Sequence, residues 1–138
     1  MTAAPDTGDG IGGLILDTSA LVTAARGSLH MQALFSLSHA RVIPLLAPAT
    51  CVADAAAGLH PHGREALTAI LRFPLVTLAA LDEHQATGSG ILRSAHSPAG
   101  TTEGHVAYLA AARRWPVITA DPGPLRRLYP DIEIETLP

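Results

Sequence analysis

The sequence predicts an α/β fold in which a mostly parallel central sheet of about five strands lies between two layers of helices. Short runs of branched aliphatic residues, such as residues 14–16 and 117–119, alternate along the chain with longer segments of helical periodicity. Strands joined by helices form right-handed crossovers, which bring successive strands into a parallel sheet. The runs contain almost no charge, as expected for strands that helices cover on both faces.

The length and composition indicate one globular domain. Of the 138 residues we assign 14–138 to this domain, and we expect residues 1–13, with Pro5 and four glycines, to form a flexible leader that packs against nothing. No apolar run approaches the roughly 18 residues of a membrane span, and the acidic N-terminus is unlike a signal peptide. The single cysteine, Cys51, cannot form an internal disulfide. We therefore expect a cytoplasmic protein with no membrane partner.

The charged residues exclude several kinds of chemistry. All nine basic residues are arginines, so a Schiff-base lysine, a P-loop lysine and the lysine of a phosphate-accepting receiver domain are excluded. The formal net charge is −3, which gives no overall basic field for tight non-specific binding of nucleic acid. A local arginine patch remains compatible with this composition.

Capping signals and breaks define the elements of the first half. The strand 14–16 ends at Asp17, which can cap a short helix over 19–25, and Gly27-Ser28 starts a second helix that continues to about residue 39. Leu29, Ala33, Leu34 and Leu37 share one face of that helix. A strand at 45–47 precedes a helix at 49–57, with Pro48 at its first position and Gly58 as its C-cap. A helix at 63–71 and a strand at 75–78 follow, separated by Pro74.

The second half continues the alternation. A helix is predicted at 81–94, and after a turn at 98–100 another helix runs from Glu103 to Arg114. Trp115-Pro116 breaks that helix before the strand 117–119. A short helix at 124–129 and an alternating edge strand at 131–137 complete the chain.

Three acidic residues are expected to meet at one edge of the sheet. Asp17 and Asp121 each follow a strand, and the carboxyl ends of parallel strands lie at the same edge, where α/β proteins bind ligands. The helix that Glu103 opens is about 18 Å long and antiparallel to its strand, so its N-terminus returns to that edge. Asp54 is the only charge on a helix of small residues. Each acid also has a structural interpretation, as a helix cap, a first-turn acid, an Asx turn or, for Asp54, a solvent-facing residue.

Gathered carboxylates favour a hard cation. Like charges within a few ångströms raise one another's pKa unless a cation lies among them. Oxygen ligands without well-placed cysteine or histidine suit Mg²⁺ or Mn²⁺, which bind through carboxylates and substrate phosphate. Such a site supports metal-assisted hydrolysis of a phosphodiester.

Four segments of the chain resemble motifs of PIN domains, specifically those of the small VapC-type toxin nucleases. They are LILDTSAL at 14–21, the segment 47–54 that ends in Asp54, EGHVA at 103–107 and VITADP at 117–122. The resemblance covers residues 14–137. It implies a three-layer α/β/α PIN-like fold with a mostly parallel, about five-stranded central sheet. It also implies a Mg²⁺- or Mn²⁺-dependent endoribonuclease, with RNA as substrate, a small antitoxin protein as partner and a homodimeric assembly.

The resemblance also assigns roles to individual residues. It implies that Asp17, Asp54, Glu103 and Asp121 are catalytic and that Asp17, Glu103 and Asp121 bind the metal ion. Thr18, Thr119, Arg113 and Arg126 are the candidate substrate-binding residues, and Arg26, Arg114 and Arg127 are further arginines that could bind phosphate. The family usually has Glu where Asp54 stands and Asp where Glu103 stands, so weak or absent activity is an alternative. In that case the chain is a PIN-like module that binds a partner protein or RNA. A flavodoxin-like binder of a small molecule is a further alternative, which no phosphate-binding glycine motif supports.

Overall fold

A computed structural model describes residues 12–95 and 99–138, and these form one sheet with helices around it. The strands are β1 (Leu14–Leu16), β2 (Leu45–Pro48), β3 (Val76–Ala79), β4 (Val117–Thr119) and β5 (Ile134–Thr136). The helices are α1 (Thr18–Ala25), α2 (Leu29–Arg41), α3 (Ala49–Gly58), α4 (Pro61–Leu71), α5 (Glu83–Ser94), α6 (Thr101–Arg113) and α7 (Gly123–Leu128). None of these helices is both long enough and apolar enough to cross a membrane.

The sheet has the order β3-β2-β1-β4-β5, and all four strand pairings are parallel. The predicted α/β fold with a parallel five-stranded sheet is therefore confirmed. β1 lies at the centre, and its residues Ile15 and Leu16 are fully buried because strands lie on both sides and helices pack above and below. Leu16 of β1 pairs with Ile118 of β4, so the two strands end side by side. The residues that follow them leave the sheet at the same edge.

Several element boundaries differ from the sequence prediction at prolines and glycines. Pro48 ends β2 and acts as the N-cap of α3, rather than starting the helix. α4 begins at Pro61, two residues before the predicted start, because proline fits the first turn of a helix. α6 begins at Thr101 with Gly100 as its N-cap, so Glu103 is the third helical residue rather than the first.

The end of the predicted leader packs against a tryptophan. A side chain added at Gly12 or Gly13 would meet the ring of Trp115 at 2.7 or 2.5 Å, so these two residues do not belong to a leader free of contacts. The close approach of the backbone to the ring requires glycine at both positions. Residues 1–11 of the expected leader, and Pro98 of the expected turn, lie outside the described residues.

Helix α2 buries a different face from the one the sequence predicted. Met31 and Ser38 are buried, whereas Leu29 is 80% and Leu37 is 45% exposed. The segment contains two overlapping apolar stripes of helical spacing, and periodicity alone does not select between them. Packing selects the stripe that passes through Met31 and leaves the stripe of Leu29 and Leu37 at the surface.

Buried His105 joins three helices. Its Nε2 donates to Gln85 Oε1 of α5 at 2.7 Å, and its Nδ1 accepts from Thr50 Oγ1 of α3 at 2.9 Å. The ring belongs to α6 and is fully buried. Burial lowers the pKa of His105, although nearby Asp82 acts in the opposite direction. A neutral ring that carries its proton on Nε2 satisfies both hydrogen bonds.

We expect the free energy of unfolding to fall as the pH decreases through about 6.5, the ordinary pKa of histidine. The unfolded chain binds a proton at His105 more readily than the folded chain does, so the stabilisation is complete above that pH and is lost as the pH approaches the lower folded pKa. Urea unfolding across this range measures the effect. His105→Gln should flatten the pH dependence, and substitution of exposed His30 by Gln is the control. An unchanged slope in His105→Gln would contradict the assignment.

Candidate active site

A cavity of about 320 Å³ opens at the carboxyl edge of β1 and β4. Its walls come from α1, α3, α6 and α7, and three of its lining residues are acidic. The lining residues are Asp17, Thr18, Ser19, Val22, Cys51, Thr102, Glu103, Val106, Asp121, Pro124 and Leu125. The structure thus places Asp17, Glu103 and Asp121, which are far apart in the sequence, in the wall of one partly apolar cavity.

Asp17 is both a helix cap and a cavity residue. Its Oδ1 accepts from the backbone amide of Ala20 at 2.9 Å and from Ser19 Oγ at 2.6 Å, and these bonds cap α1. The residue is half-buried and lines the cavity with its neighbours. The structural and functional interpretations of this acid therefore do not compete, because the cap uses one carboxylate oxygen and leaves Oδ2 outside it.

Glu103 reaches the cavity from the first turn of α6. Its Oε1 accepts from the backbone amide of Gly100 at 3.0 Å, which is half of a capping box at the helix N-terminus. The predicted return of this helix end to the carboxyl edge of the sheet is observed. As in Asp17, capping engages one carboxylate oxygen and leaves Oε2 outside the cap.

Asp121 lies in the loop that follows β4. Its backbone amide donates to Thr119 Oγ1 at 3.0 Å, a contact that holds the loop against the end of the strand. The side chain itself is exposed at the rim of the cavity. Asp121 is thus the carboxylate most accessible to a ligand that arrives from solvent.

Asp54 does not line the cavity. It is exposed on α3, and its Oδ2 accepts from Thr102 Oγ1 at 2.7 Å. Thr102 lines the cavity beside Glu103, so Asp54 contacts a residue of the cavity wall but does not itself line the cavity. In this structure Asp54 links α3 to the first turn of α6.

The four candidate substrate-binding residues are spread over the molecule. Thr18 lines the cavity, whereas buried Thr119 uses its hydroxyl for the amide of Asp121. Arg113 stacks 4.9 Å from the centre of the Trp115 ring, about 15 Å of helix away from Glu103. Arg126 is exposed on α7 and is not a lining residue.

Arg127, the neighbour of Arg126 on α7, lies near Asp121. A Cβ at Gly123 would lie 3.8 Å from Arg127 Nη1 and 3.8 Å from Asp121 Oδ1, so the guanidinium and the carboxylate flank the same small gap. The sequence did not distinguish Arg127 from Arg126. The available sequence signal was the spacing, because residues 123 and 127 lie four positions apart and therefore on the same face of a short helix.

The donor atoms at the cavity suit Mg²⁺ or Mn²⁺ in kind. They are carboxylate and hydroxyl oxygens, the ligands that hard cations prefer. Within residues 12–95 and 99–138, no three His, Cys, Asp or Glu side chains stand close enough together to hold one ion. Mg²⁺ commonly retains several waters and binds through one or two carboxylates with substrate phosphate, so this spacing fits partial coordination and not a closed cage.

Cys51 forms part of the cavity wall, although no sequence pattern assigned this residue to the site. Burial raises the pKa of its thiol to about 12, and the charges of Asp17 and Asp54 act in the same direction. Hydrogen bonds with Thr18 oppose the shift without cancelling it. The side chain therefore remains a neutral thiol and is neither a nucleophile nor a thiolate ligand at neutral pH.

The fold is similar to that of several solved VapBC and VapC structures. A chain of VapBC2 from Rickettsia felis, bound to a promoter DNA fragment, has a TM-score of 0.72 at 15% identity, with 91% of this chain and 98% of that chain covered. A chain of DNA-bound VapBC from Salmonella typhimurium has a TM-score of 0.65 at 20% identity, with 90% and 97% covered. VapC20 of Mycobacterium tuberculosis, a sarcin-ricin loop cleaving toxin, has a TM-score of 0.60 at 11% identity, with 81% and 92% covered.

These similarities concern the fold, because the identities are low. No protein-family model and no curated protein matches the sequence. The three solved structures named above are VapBC or VapC proteins, and their fold is the one that the sequence resemblance implies. The expected PIN-like fold is thereby confirmed.

We expect Cys51 to react slowly with thiol reagents in the folded protein. A pKa near 12 in place of 9 lowers the thiolate fraction at about pH 8 roughly a thousandfold. Labelling rates with an alkylating reagent, measured in the folded protein and in denaturant, test this. A cysteine introduced at exposed His30 should label rapidly in the folded state, and equally rapid labelling of Cys51 would contradict its burial.

Proposed function

We propose that this PIN-like chain is a metal-dependent endoribonuclease and the toxin of a toxin–antitoxin pair. It would hydrolyse RNA phosphodiester bonds at a carboxylate-bound Mg²⁺ or Mn²⁺ site. The observation that carries the proposal is the single cavity that Asp17, Glu103 and Asp121 line at the carboxyl edge of a parallel sheet. The fold shared with VapC proteins supports it, since VapC20 is a toxin that cleaves the sarcin-ricin loop.

One or two of the carboxylates of Asp17, Glu103 and Asp121, together with substrate phosphate, would hold the cation. When bound, it neutralises charge on a phosphoryl group and lowers the pKa of a water molecule. The capping bonds fix the orientation of Asp17 and Glu103 before a ligand arrives, so little reorganisation is needed on binding. The side chains of Val22 and Val106 give part of the cavity wall an apolar surface beside the acids.

A single-stranded RNA would approach along the side of the cavity where Asp121 and Arg127 lie. The chain has no overall basic field to attract it, so local contacts must position the phosphates. A guanidinium beside Asp121 can donate two parallel hydrogen bonds to a phosphate. Arg127 is therefore the basic residue that we assign to the substrate, in preference to Arg113 and Arg126.

The exposed stripe on α2 supports a protein partner. Leu29, Leu37 and Val42 are large apolar residues exposed at or beside this helix, and such surfaces commonly mark interfaces. We propose that a small antitoxin protein covers this stripe, because several chains of similar fold come from VapBC complexes. A short neighbouring reading frame for a DNA-binding protein would support this assignment. The homodimer expected from the sequence resemblance is likewise part of the proposal.

A second candidate function is a PIN-like module that binds RNA or a partner protein without cleavage. Two observations favour it. No three potential ligand side chains in the described part of the chain are close enough for one ion, and Asp54 is engaged by Thr102 outside the cavity. Calorimetric titration with Mn²⁺ separates a site that binds metal without cleaving from a cavity that binds none.

We expect the purified protein to cleave RNA with Mg²⁺ or Mn²⁺ and to stop when a chelator is added. Asp17→Asn should reduce the cleavage rate about a hundredfold or more, because it removes a charge from the site. Asparagine caps helices as well as aspartate does, so the free energy of unfolding should change by less than about 0.5 kcal/mol.

Asp82→Asn is the matched control for that experiment. Asp82 caps α5 with the same 2.9 Å contact to a backbone amide that Asp17 makes in α1, but it does not line the cavity. Cleavage by this control should match that of the unmodified protein. Cleavage that survives Asp17→Asn would exclude the cavity as its source.

We expect Arg127→Gln to raise the KM for a short RNA about tenfold with a smaller effect on kcat, because a hydrogen-bonded charge contact with phosphate is lost. The slope of log affinity against log salt should fall in magnitude by about 0.7. Arg126→Gln, on the same helix, is the control and should leave both quantities near their original values. Equal effects of the two substitutions would indicate a diffuse charge effect and not a phosphate contact.

A further inference from the structure

The pairing of β1 with β4 stops where the two acid-bearing loops begin. The backbone amide of Asp17 donates to Ile118 O at 3.3 Å. In a parallel ladder the next bond would join the amide of Ala120 to Asp17 O. That carbonyl instead accepts from the amide of Leu21 at 3.0 Å in the first turn of α1. The start of α1 therefore ends the ladder of backbone hydrogen bonds between β1 and β4.

The hydroxyl of Ser19 accepts the hydrogen bond that Asp17 O would accept if the ladder continued. The amide of Ala120 donates to Ser19 Oγ at 2.9 Å, and Ser19 Oγ donates to Asp17 Oδ1 at 2.6 Å. One side chain thus joins the loop after β4 to the carboxylate after β1. Successive hydrogen bonds of this kind polarise and strengthen one another.

We propose that Ser19 is a positioning residue that holds Asp17 and Asp121 in register for one cation. The inference deepens the proposed nuclease function and rests on it. Ala120 directly precedes Asp121, so fixing its amide restricts where the Asp121 carboxylate can lie. On the other loop, Ser19 and Ala20 both donate to Asp17 Oδ1, which turns the carboxylate and leaves Oδ2 outside these bonds.

The alternative is that Ser19 only stabilises the first turn of α1. A purely helical role would change stability without changing the loop after β4. The positioning role predicts effects at Ala120 and on cation affinity, both of which can be measured without RNA cleavage. Groups that orient metal ligands typically change metal affinity by about ten- to a hundredfold when they are removed.

The experiment compares Ser19→Ala, Ser19→Thr and Ser28→Ala with the unmodified protein. Threonine keeps the hydroxyl, whereas alanine removes both hydrogen bonds. Ser28 is the matched control, because its hydroxyl caps α2 by accepting from Met31 at 3.3 Å and does not line the cavity. Thermal unfolding verifies that each variant is folded, hydrogen exchange reports the Ala120 amide, and calorimetry gives the Mn²⁺ affinity.

We expect Ser19→Ala to speed exchange at Ala120 and to weaken Mn²⁺ binding about tenfold or more. Ser19→Thr should restore both, and Ser28→Ala should alter neither. Unchanged exchange and Mn²⁺ affinity in Ser19→Ala would overturn the inference, as would equal weakening in Ser28→Ala or absence of Mn²⁺ binding by the unmodified protein. If Mn²⁺ binds and Ser19→Ala weakens it while no RNA is cut, the positioning role stands and the nuclease function fails.

Discussion

The parallel pairing of β1 with β4 is the constraint on which the candidate site depends. It aligns Leu16 with Ile118, so that Asp17 and the loop that carries Asp121 leave the sheet together. Both strands are buried and, apart from Thr119, apolar, which makes their pairing costly to disrupt and their ends well defined. The third acid reaches the same edge, because the N-terminus of α6 places Glu103 among the residues that line the cavity.

The acids at this edge combine capping with exposure to the cavity. Asp17 and Glu103 each use one oxygen to bind a backbone amide at a helix N-terminus, where the positive end of the helix dipole also favours negative charge. This arrangement stabilises each of the two carboxylates in its own position. It also orients them in the absence of a ligand, which is a general property of preorganised sites. The structural and functional roles of these residues therefore have the same physical basis.

The comparison of Asp54 with the three acids that line the cavity shows which side-chain positions a local sequence pattern predicts and which it does not. All four were singled out as the set that the VapC-like motifs carry, and three line the cavity whereas Asp54 bonds Thr102 outside it. Asp17 and Asp121 are placed by strand ends, which an apolar run identifies well. Asp54 is placed by the rotation of α3, and a helix of small residues carries no periodicity that determines its rotation. The same limit explains α2, whose two apolar stripes could not be ranked without their packing partners.

The sequence by itself determined the strands, their parallel direction and the class of fold, because buried apolar runs and crossover handedness depend on local chemistry and general chain geometry. It also placed Asp17, Glu103 and Asp121 at a common edge. Only the tertiary structure decided that Asp54 lies outside the cavity, that Arg127 lies near Asp121, and that the hydroxyl of Ser19 replaces a hydrogen bond of the sheet. These features depend on helix rotation and on contacts between residues as many as 101 positions apart, which no local pattern encodes.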